Sequence, residues 1–438
     1  MTLTALGHAR RLECVINRNR EAYKNYWVLN IINSSDRNDQ MTYSKVSELM
    51  TLSEFLKAAL QKARDAKQAG QFERNVPLYF NLTNFHRYNE IYGSDQGDRL
   101  LNEVAYVIIE ELPEAIIAHH SADNFMALAD RHDLIKRIEK ICHRVNNAIG
   151  ESDIVLKVGI RPYEHEVSEE QVKRGFDEAR IACISIEHNS EKMWAVYNLE
   201  IAKQEELKRY ILTHFEEALK NHQIDVYFQP VVRSLNGRVC EVESLARWQD
   251  ERYGMIMPRN FIPVLEENAL ITKLDTYIVE LTAQILKERL DNHQKVVPVS
   301  FNFSQTDFGL CDVIDFLDSC VDHYHIPRNY LRVEINERGL NSENVQLTTV
   351  IEKLSQKSYH VAMDDFGKGY ASLEVLRKYA FDEIKLDLSF MTEFDEEMQK
   401  ILESLISLAK SLGIHTLAKG VETKAQKDLL VKIGCEKM

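Results

Sequence analysis

Six short apolar runs in the second half of the chain each stop at a polar residue: Glu243, Asn302, Glu334, the pair Asp364 and Asp365, Lys385, and Lys419. Helical patterns separate the runs, which is the layout of parallel strands joined by crossover helices. Each polar group then falls at the carboxyl end of a strand, where barrel enzymes assemble their chemistry. A single acid at such a place is usually a solvated loop carboxylate. Six positions that agree point instead to a TIM-barrel-like α/β domain with a polar ring around its mouth. Glu243, Asn302, Glu334, Asp364 and Asp365 are oxygen donors of the kind Mg²⁺ or Mn²⁺ takes. Lys419 sets an ammonium where a sixth oxygen could have held metal or activated water. Two ions a few ångströms apart would polarise a phosphodiester and acidify an attacking water.

At 438 residues the chain exceeds one ordinary core, so two or three domains are expected. Hydrophobic content of 45% with 28% charged residues fits folded globular domains. A net charge of -14 argues against binding a nucleic-acid polymer, which calls for clustered Lys and Arg. An anionic ligand would need a locally positive pocket or a metal. Seven cysteines without a CxxC pair read as reduced thiols, and a cytoplasmic location is expected. Arg10, Arg11, Arg18 and Arg20 interrupt any secretory apolar stretch, and the run from Tyr26 to Ile32 is too short to span a bilayer. No membrane segment is expected in this chain.

Along the chain, residues 1–73 read as a helical N-terminal segment, with an amphipathic helix from Leu52 to Lys67. Residues 74–196 read as an α+β domain with a central sheet. Its strands are Val76 to Leu82, Ala115 to Ala118 and Val155 to Ile160, its helices Leu100 to Leu112 and Leu134 to Ala148, with a hairpin turn at Ser121 to Asn124. Residues 197–222 form a charged linker helix with Leu207, Tyr210, Ile211 and Phe215 on one face. The barrel then occupies 223–438, opening with a strand at Val226 to Pro230 that pairs with Val239 to Leu245 across an Asn236-Gly237 turn.

The run Glu243-Ser244-Leu245-Ala246-Arg247-Trp248 resembles the signature of the EAL phosphodiesterases of cyclic di-GMP, with Ser for the usual Ala. Gln229-Pro230, Asn302, Glu334-Ile335-Asn336-Glu337, Asp364-Asp365-Phe366-Gly367-Lys368-Gly369-Tyr370, Lys385-Leu386-Asp387 and Gly420-Val421-Glu422-Thr423 follow in the family's order. The resemblance implies a first metal, Mg²⁺ or Mn²⁺, on Glu243, Asn302, Glu334 and Asp364, with Asp365 serving a second and Lys385 holding the nucleophilic water. It also implies ligand contacts from Gln229, Leu245, Arg247 and Asp387, and loop support from Glu337 and Glu422. The forked guanidinium of Arg247 suits a ligand phosphate.

Two departures stand against full activity. The family usually has Glu immediately before Gly-Val-Glu; here that position is Lys419. Reversing a unit charge about 4 Å from an ion shifts its energy by roughly 4 kcal/mol at an effective dielectric of about 20, enough to exclude a second cation. Alternatively the ammonium takes the metal's place and pairs with Asp365 or a ligand phosphate. The chain also stops at Gly434-Cys435-Glu436-Lys437-Met438, where the family continues with a final strand and helix, so an unclosed barrel edge is expected.

In the first half, Phe80-Asn81-Leu82-Thr83-Asn84-Phe85 with Asn89 and Gly93 to Asp98 resembles the GGDEF diguanylate cyclases, and Ser121-Ala122-Asp123-Asn124-Phe125 stands at the signature. Asn81 replaces the usual first Asp, Asn124 the last acid, and Ser121 and Ala122 both glycines. Cyclases need those carboxylates for the metal on a nucleoside triphosphate, so cyclase activity is not expected. Asp123, Asn89 and Asp98 keep positions that recognise metal or guanine in the family. The inhibitory Arg-x-x-Asp is absent, since Leu112 and Ala115 fall where it would begin.

Three readings follow. The first is a degenerate GGDEF-EAL receptor or regulator that binds cyclic di-GMP and passes its occupancy to a protein partner or a second copy. The second is a working metal-dependent phosphodiesterase giving the linear dinucleotide. The third is an interaction module without a ligand.

Overall fold

The structure, a computed structural model, describes residues 12–16, 29–33 and 49–438 apart from internal stretches, of which 337–344, 367–375 and 389–395 are the longest. The chain divides into two compact units, Met1–Glu206 and Leu207–Met438. Glu337 and residues 367 to 370 of the Asp-Phe-Gly run lie outside the described residues.

In the first unit, strands β1 (Leu12–Ile16) and β2 (Leu29–Asn33) pair antiparallel, Cys14 opposite Ile31. This corrects the expectation of an all-helical N-terminal segment: five-residue runs rich in Val and Ile are too short for a stable helix and suit a strand. Helix α1 (Leu52–Gln68) is where its apolar spacing predicts. The sheet holds the expected strands as β3 (Asn75–Leu82), β4 (Ile116–Ser121) and β6 (Leu156–Ile160), with β5 (Asn124–Asp130) after the expected hairpin turn and a short, unpredicted β7 (Trp194–Val196), arranged β4-β5-β3-β6-β7. Among the described strands of this sheet only the β6 and β7 pair is parallel. The helix Glu169–Ile184 lies directly on β6 because Gly159 has no Cβ; one added there would stand 1.8 Å from the Ala179 carbonyl oxygen.

The linker helix spans Leu199–Lys220. Its second half belongs to the second unit, where Ile211, Phe215 and Ala218 are buried with Trp248 and Phe261.

The second unit opens with the expected hairpin, β8 (Ile224–Val232) against β9 (Val239–Asp250), to which β10 (Gly254–Ile256) adds. From β9 the sheet runs parallel through β11 (Val299–Phe303), β12 (Leu331–Asn336), β13 (His360–Phe366), β14 (Glu383–Asp387) and β15 (His415–Lys419). Buried aliphatic and aromatic residues of these strands and of the intervening helices form one continuous core, as a parallel sheet covered by helices requires.

The barrel edge expected to be open is bridged. Lys437 donates its N–H to the Thr416 carbonyl at 3.1 Å and accepts from Ala418 at 3.0 Å, while Met438 and Val232 exchange both backbone hydrogen bonds at 2.9 and 3.0 Å. The last residues thus sit between β15 and β8 and bridge part of each edge.

Period-two alternation stacks charges in the lumen in two layers. Glu241 and Glu243 on β9, Arg332 and Glu334 on β12, and Glu383 and Lys385 on β14 each lie two residues apart on one face. In the lower layer, Glu241 and Glu383 are buried, and Glu241 accepts from Arg332 Nη1 at 2.6 Å and Lys437 Nζ at 2.9 Å. Lys437 also pairs with Glu383. Burial and the Glu241 charge raise the Glu383 carboxyl, and Lys437 opposes them. Lys437→Met should therefore lower stability by about 3 kcal/mol at pH 8, read as a shift in urea midpoint, and by less at pH 5, where Glu383 can take up a proton. An unchanged midpoint at pH 8 would show that Lys437 does not hold this layer.

Candidate functional site

The upper layer is built by strand register. Asn302 stands opposite Glu334, Ser300 opposite Glu243, Asn336 opposite Asp364, and Asp387 opposite Lys419. Lys385 is fully buried and donates to Glu334, with Glu243 Oε2 at 3.4 Å and Ser300 Oγ at 3.5 Å. Burial would lower its pKa, but Glu334, Glu243 and Asp364 more than offset that and hold it charged. Burial pushes the Glu334 carboxyl up to about 7, with Lys385 pulling the other way and the neighbouring carboxylates reinforcing the rise. Its Oε2 is buried with no hydrogen-bond partner among the described residues. Asn302 Nδ2 donates to Glu243 Oε1 at 3.4 Å.

Lys419 points into this ring. Its Nζ lies 2.6 Å from Asp364 Oδ1 and 3.5 Å from Asp365 Oδ1. Burial opposes its charge, and the carboxylates, Asp364 first, keep its pKa above the ordinary lysine value. Consecutive strand residues normally face opposite ways, yet both aspartates meet one ammonium. A register shift between Met363 and Phe366 makes this geometry, with Asp365 in the left-handed region at φ 57. Asn336 Nδ2 steadies Asp365 Oδ2 at 3.2 Å.

The remaining predicted residues lie around this centre. Gln229 is exposed on β8 opposite Glu243, and Leu245 is half-buried. Arg247 donates from Nη1 to the Ala246 carbonyl at 2.8 Å, and its guanidinium lies 5.8 Å from the centre of the Tyr227 ring. Asp387 is buried at the end of β14. The Glu422 side chain is exposed; its backbone N–H donates to Gln426 Oε1 at the capped start of the helix Lys424–Ile433. Sequence reasoning gave no role to Ser300 or Asn336. Ser300 could have been noticed as the polar residue inside an apolar run.

Charge sets what the ring can hold. Glu243, Glu334, Asp364 and Asp365 face the ammoniums of Lys385 and Lys419, which leaves charge for one divalent cation rather than two. Glu243, Asn302, Asp364 and the unpartnered Glu334 Oε2 have the donor chemistry that one hard ion takes. The second position does not fit one, because an ammonium holds its carboxylates. Among the described residues no three His, Cys, Asp or Glu side chains are gathered as a metal site, since the lysines take the acids in pairs.

In the first unit the altered signature forms a network of side-chain hydrogen bonds. Asn81 Nδ2 donates to Asn124 Oδ1 at 2.8 Å and to Asp123 Oδ2 at 3.4 Å. Asn124 Nδ2 donates to Asp123 Oδ1 at 2.6 Å and to Ser121 Oγ at 3.1 Å. Both oxygens of the one remaining acid are thus engaged by amides. Asn89 packs against Gly97, where a Cβ would come within 1.9 Å of its Oδ1, and Asp98 is exposed on the next helix, Ser94–Glu111.

The EAL domain family matches residues 213–438, more than half of the chain. The chain belongs to that family. The diguanylate cyclase GGDEF domain matches residues 39–192, so the two domains stand in tandem. The bifunctional diguanylate cyclase/cyclic di-GMP phosphodiesterase MucR of Pseudomonas aeruginosa is 26% identical over 418 residues, 90% of this chain and 58% of that protein. The cyclic di-GMP phosphodiesterase PdeR of Escherichia coli is 26% identical over 371 residues, 82% of this chain and 55% of that protein. The chain spans about half the length of these curated relatives. The S helix-GGDEF-EAL structure of Vibrio cholerae LapD, solved with c-di-GMP bound, has the same fold, with a TM-score of 0.62 at 20% identity over 90% of this chain and 93% of that one. Among the described residues of this GGDEF-EAL chain, no helix is long and apolar enough to cross a membrane.

Lys419→Glu should restore the second cation site. Mn²⁺ titrated calorimetrically should bind to the wild type with a stoichiometry no greater than one and to Lys419→Glu with a stoichiometry of two; equal stoichiometries would show that Lys419 does not set the ion count.

Proposed function

We propose that this protein is a cyclic di-GMP receptor or regulator whose EAL domain binds the dinucleotide and does not hydrolyse it at an enzymatic rate. The contact of Lys419 with both Asp364 and Asp365 carries the reading, because it puts a fixed positive charge where two-ion hydrolysis needs a cation between acids. Without that ion the leaving and attacking oxygens lack half of their electrostatic support.

Binding has support of its own. Gln229, Leu245 and Arg247 stand together on the β8 and β9 hairpin beside the ring, and Arg247 offers a forked cation to a phosphate. Lys419 adds a second positive group at the ring's edge. One Mg²⁺ or Mn²⁺, when bound, would be held by Glu243, Asn302, Glu334 and Asp364 and would polarise a phosphate oxygen. Lys385, buried against Glu334, keeps that acid oriented.

The GGDEF domain acts in this reading as a scaffold, since Asn81 and Asn124 commit Asp123 to amides in place of a metal. A phosphodiesterase reading draws on the convergence of Glu243, Glu334, Asp364 and Lys385, but the three acids are paired with lysines. Calorimetric titration with cyclic di-GMP should show one ligand per EAL domain. Arg247→Ala should weaken it roughly tenfold or more, as loss of a charge-assisted phosphate contact does. Absence of binding by the wild type would defeat the receptor reading.

A further inference from the structure

Strand β8 alternates cleanly: Ile224 and Val226 are buried and Phe228 packs on the core, while Asp225, Tyr227 and Gln229 face out. Their partners across the hairpin are Arg247, Leu245 and Glu243. Tyr227 therefore shares a face with every ligand-contact candidate of the hairpin, and it is 52% exposed. A large aromatic side chain on a well-formed strand is seldom left that open, and this one does not cover the core, which Ile224 and Val226 fill from the other face. Its one described ring contact is with a cation, the Arg247 guanidinium 5.8 Å from the ring centre.

We infer that Tyr227, with the half-buried Leu245 beside it and Arg247 over it, is a stacking platform for a purine base of the ligand bound at the acid ring. The inference deepens the cyclic dinucleotide reading and rests on it. A dinucleotide whose phosphates meet Arg247 carries its bases within a few ångströms of that cation, and the exposed aromatic ring lies at that distance. Stacking rewards a wide, flat, polarisable base, so the platform favours purines over pyrimidines. The carboxylate ring below gives a base edge polar partners but no flat surface, and among the described residues of the hairpin face only Tyr227 supplies one.

The test is binding of cyclic di-GMP and of cyclic di-UMP to the full chain as wild type, Tyr227→Phe and Tyr227→Ala, with melting temperature checking the fold. Tyr227→Phe keeps the ring and should hold cyclic di-GMP within about twofold of wild type, while Tyr227→Ala should lose roughly 5- to 150-fold, with a smaller loss for cyclic di-UMP. Unchanged affinity in Tyr227→Ala overturns the platform, and so does an equal loss in Tyr227→Phe, which would assign the effect to the hydroxyl. A wild type that binds neither ligand overturns the dinucleotide reading itself, an outcome distinct from a wild type that binds and a Tyr227→Ala variant that binds as well.

Discussion

Ionised groups inside a barrel must be neutralised within the barrel, and that constraint governs this EAL domain. Buried charge is costly unless paired, and here each layer of lumenal acids has its own cations. Lys385 and Lys419 serve the upper layer, Arg332 and Lys437 the lower. The lower layer joins the barrel's closing segment to the strands it bridges. The upper layer is the candidate ligand site. A two-metal EAL centre would balance its acids with one lysine and two ions; the extra lysine at 419 replaces part of that balance with a covalently fixed charge. In the proposed receptor reading this separates binding from hydrolysis, because a fixed ammonium can neutralise a phosphate but cannot acidify a water as a divalent cation does.

The acid ring was legible in the sequence because Glu243, Asn302, Glu334, Asp364, Asp365, Lys385 and Lys419 interrupt apolar runs, although Glu243 and Lys385 lie inside β9 and β14 and not at their carboxyl ends as expected. What they do to one another was less so. Lys385 reads as a water ligand by resemblance, yet in the structure it is buried against Glu334, since a buried carboxylate captures the nearest ammonium. The lower layer was invisible for the converse reason: Glu241, Arg332 and Glu383 begin strands, where charge looks like ordinary loop polarity. Bridging by Lys437 and Met438 was missed because three residues carry no periodicity. The β1 and β2 pair was missed because five-residue runs are too short for pattern to separate from noise. Tyr227 was passed over because an aromatic residue in a strand reads as core until its neighbours fix the parity of the faces.

The GGDEF domain shows the same economy of charge in a different form. Where a cyclase holds metal with acids, Asn81 and Asn124 hold Asp123 with amides, and the hairpin remains satisfied without any ion. Amides hold the remaining acid of the first unit's signature, and an ammonium holds the paired acids of the second.

The most direct test is a single-turnover experiment with protein in excess over cyclic di-GMP in Mg²⁺ or Mn²⁺, following the linear dinucleotide by chromatography. Recovery of the bound ligand intact over many minutes is the predicted result. Conversion within seconds, at rates ordinary for an enzyme, would mean that the ammonium of Lys419 does not block the chemistry.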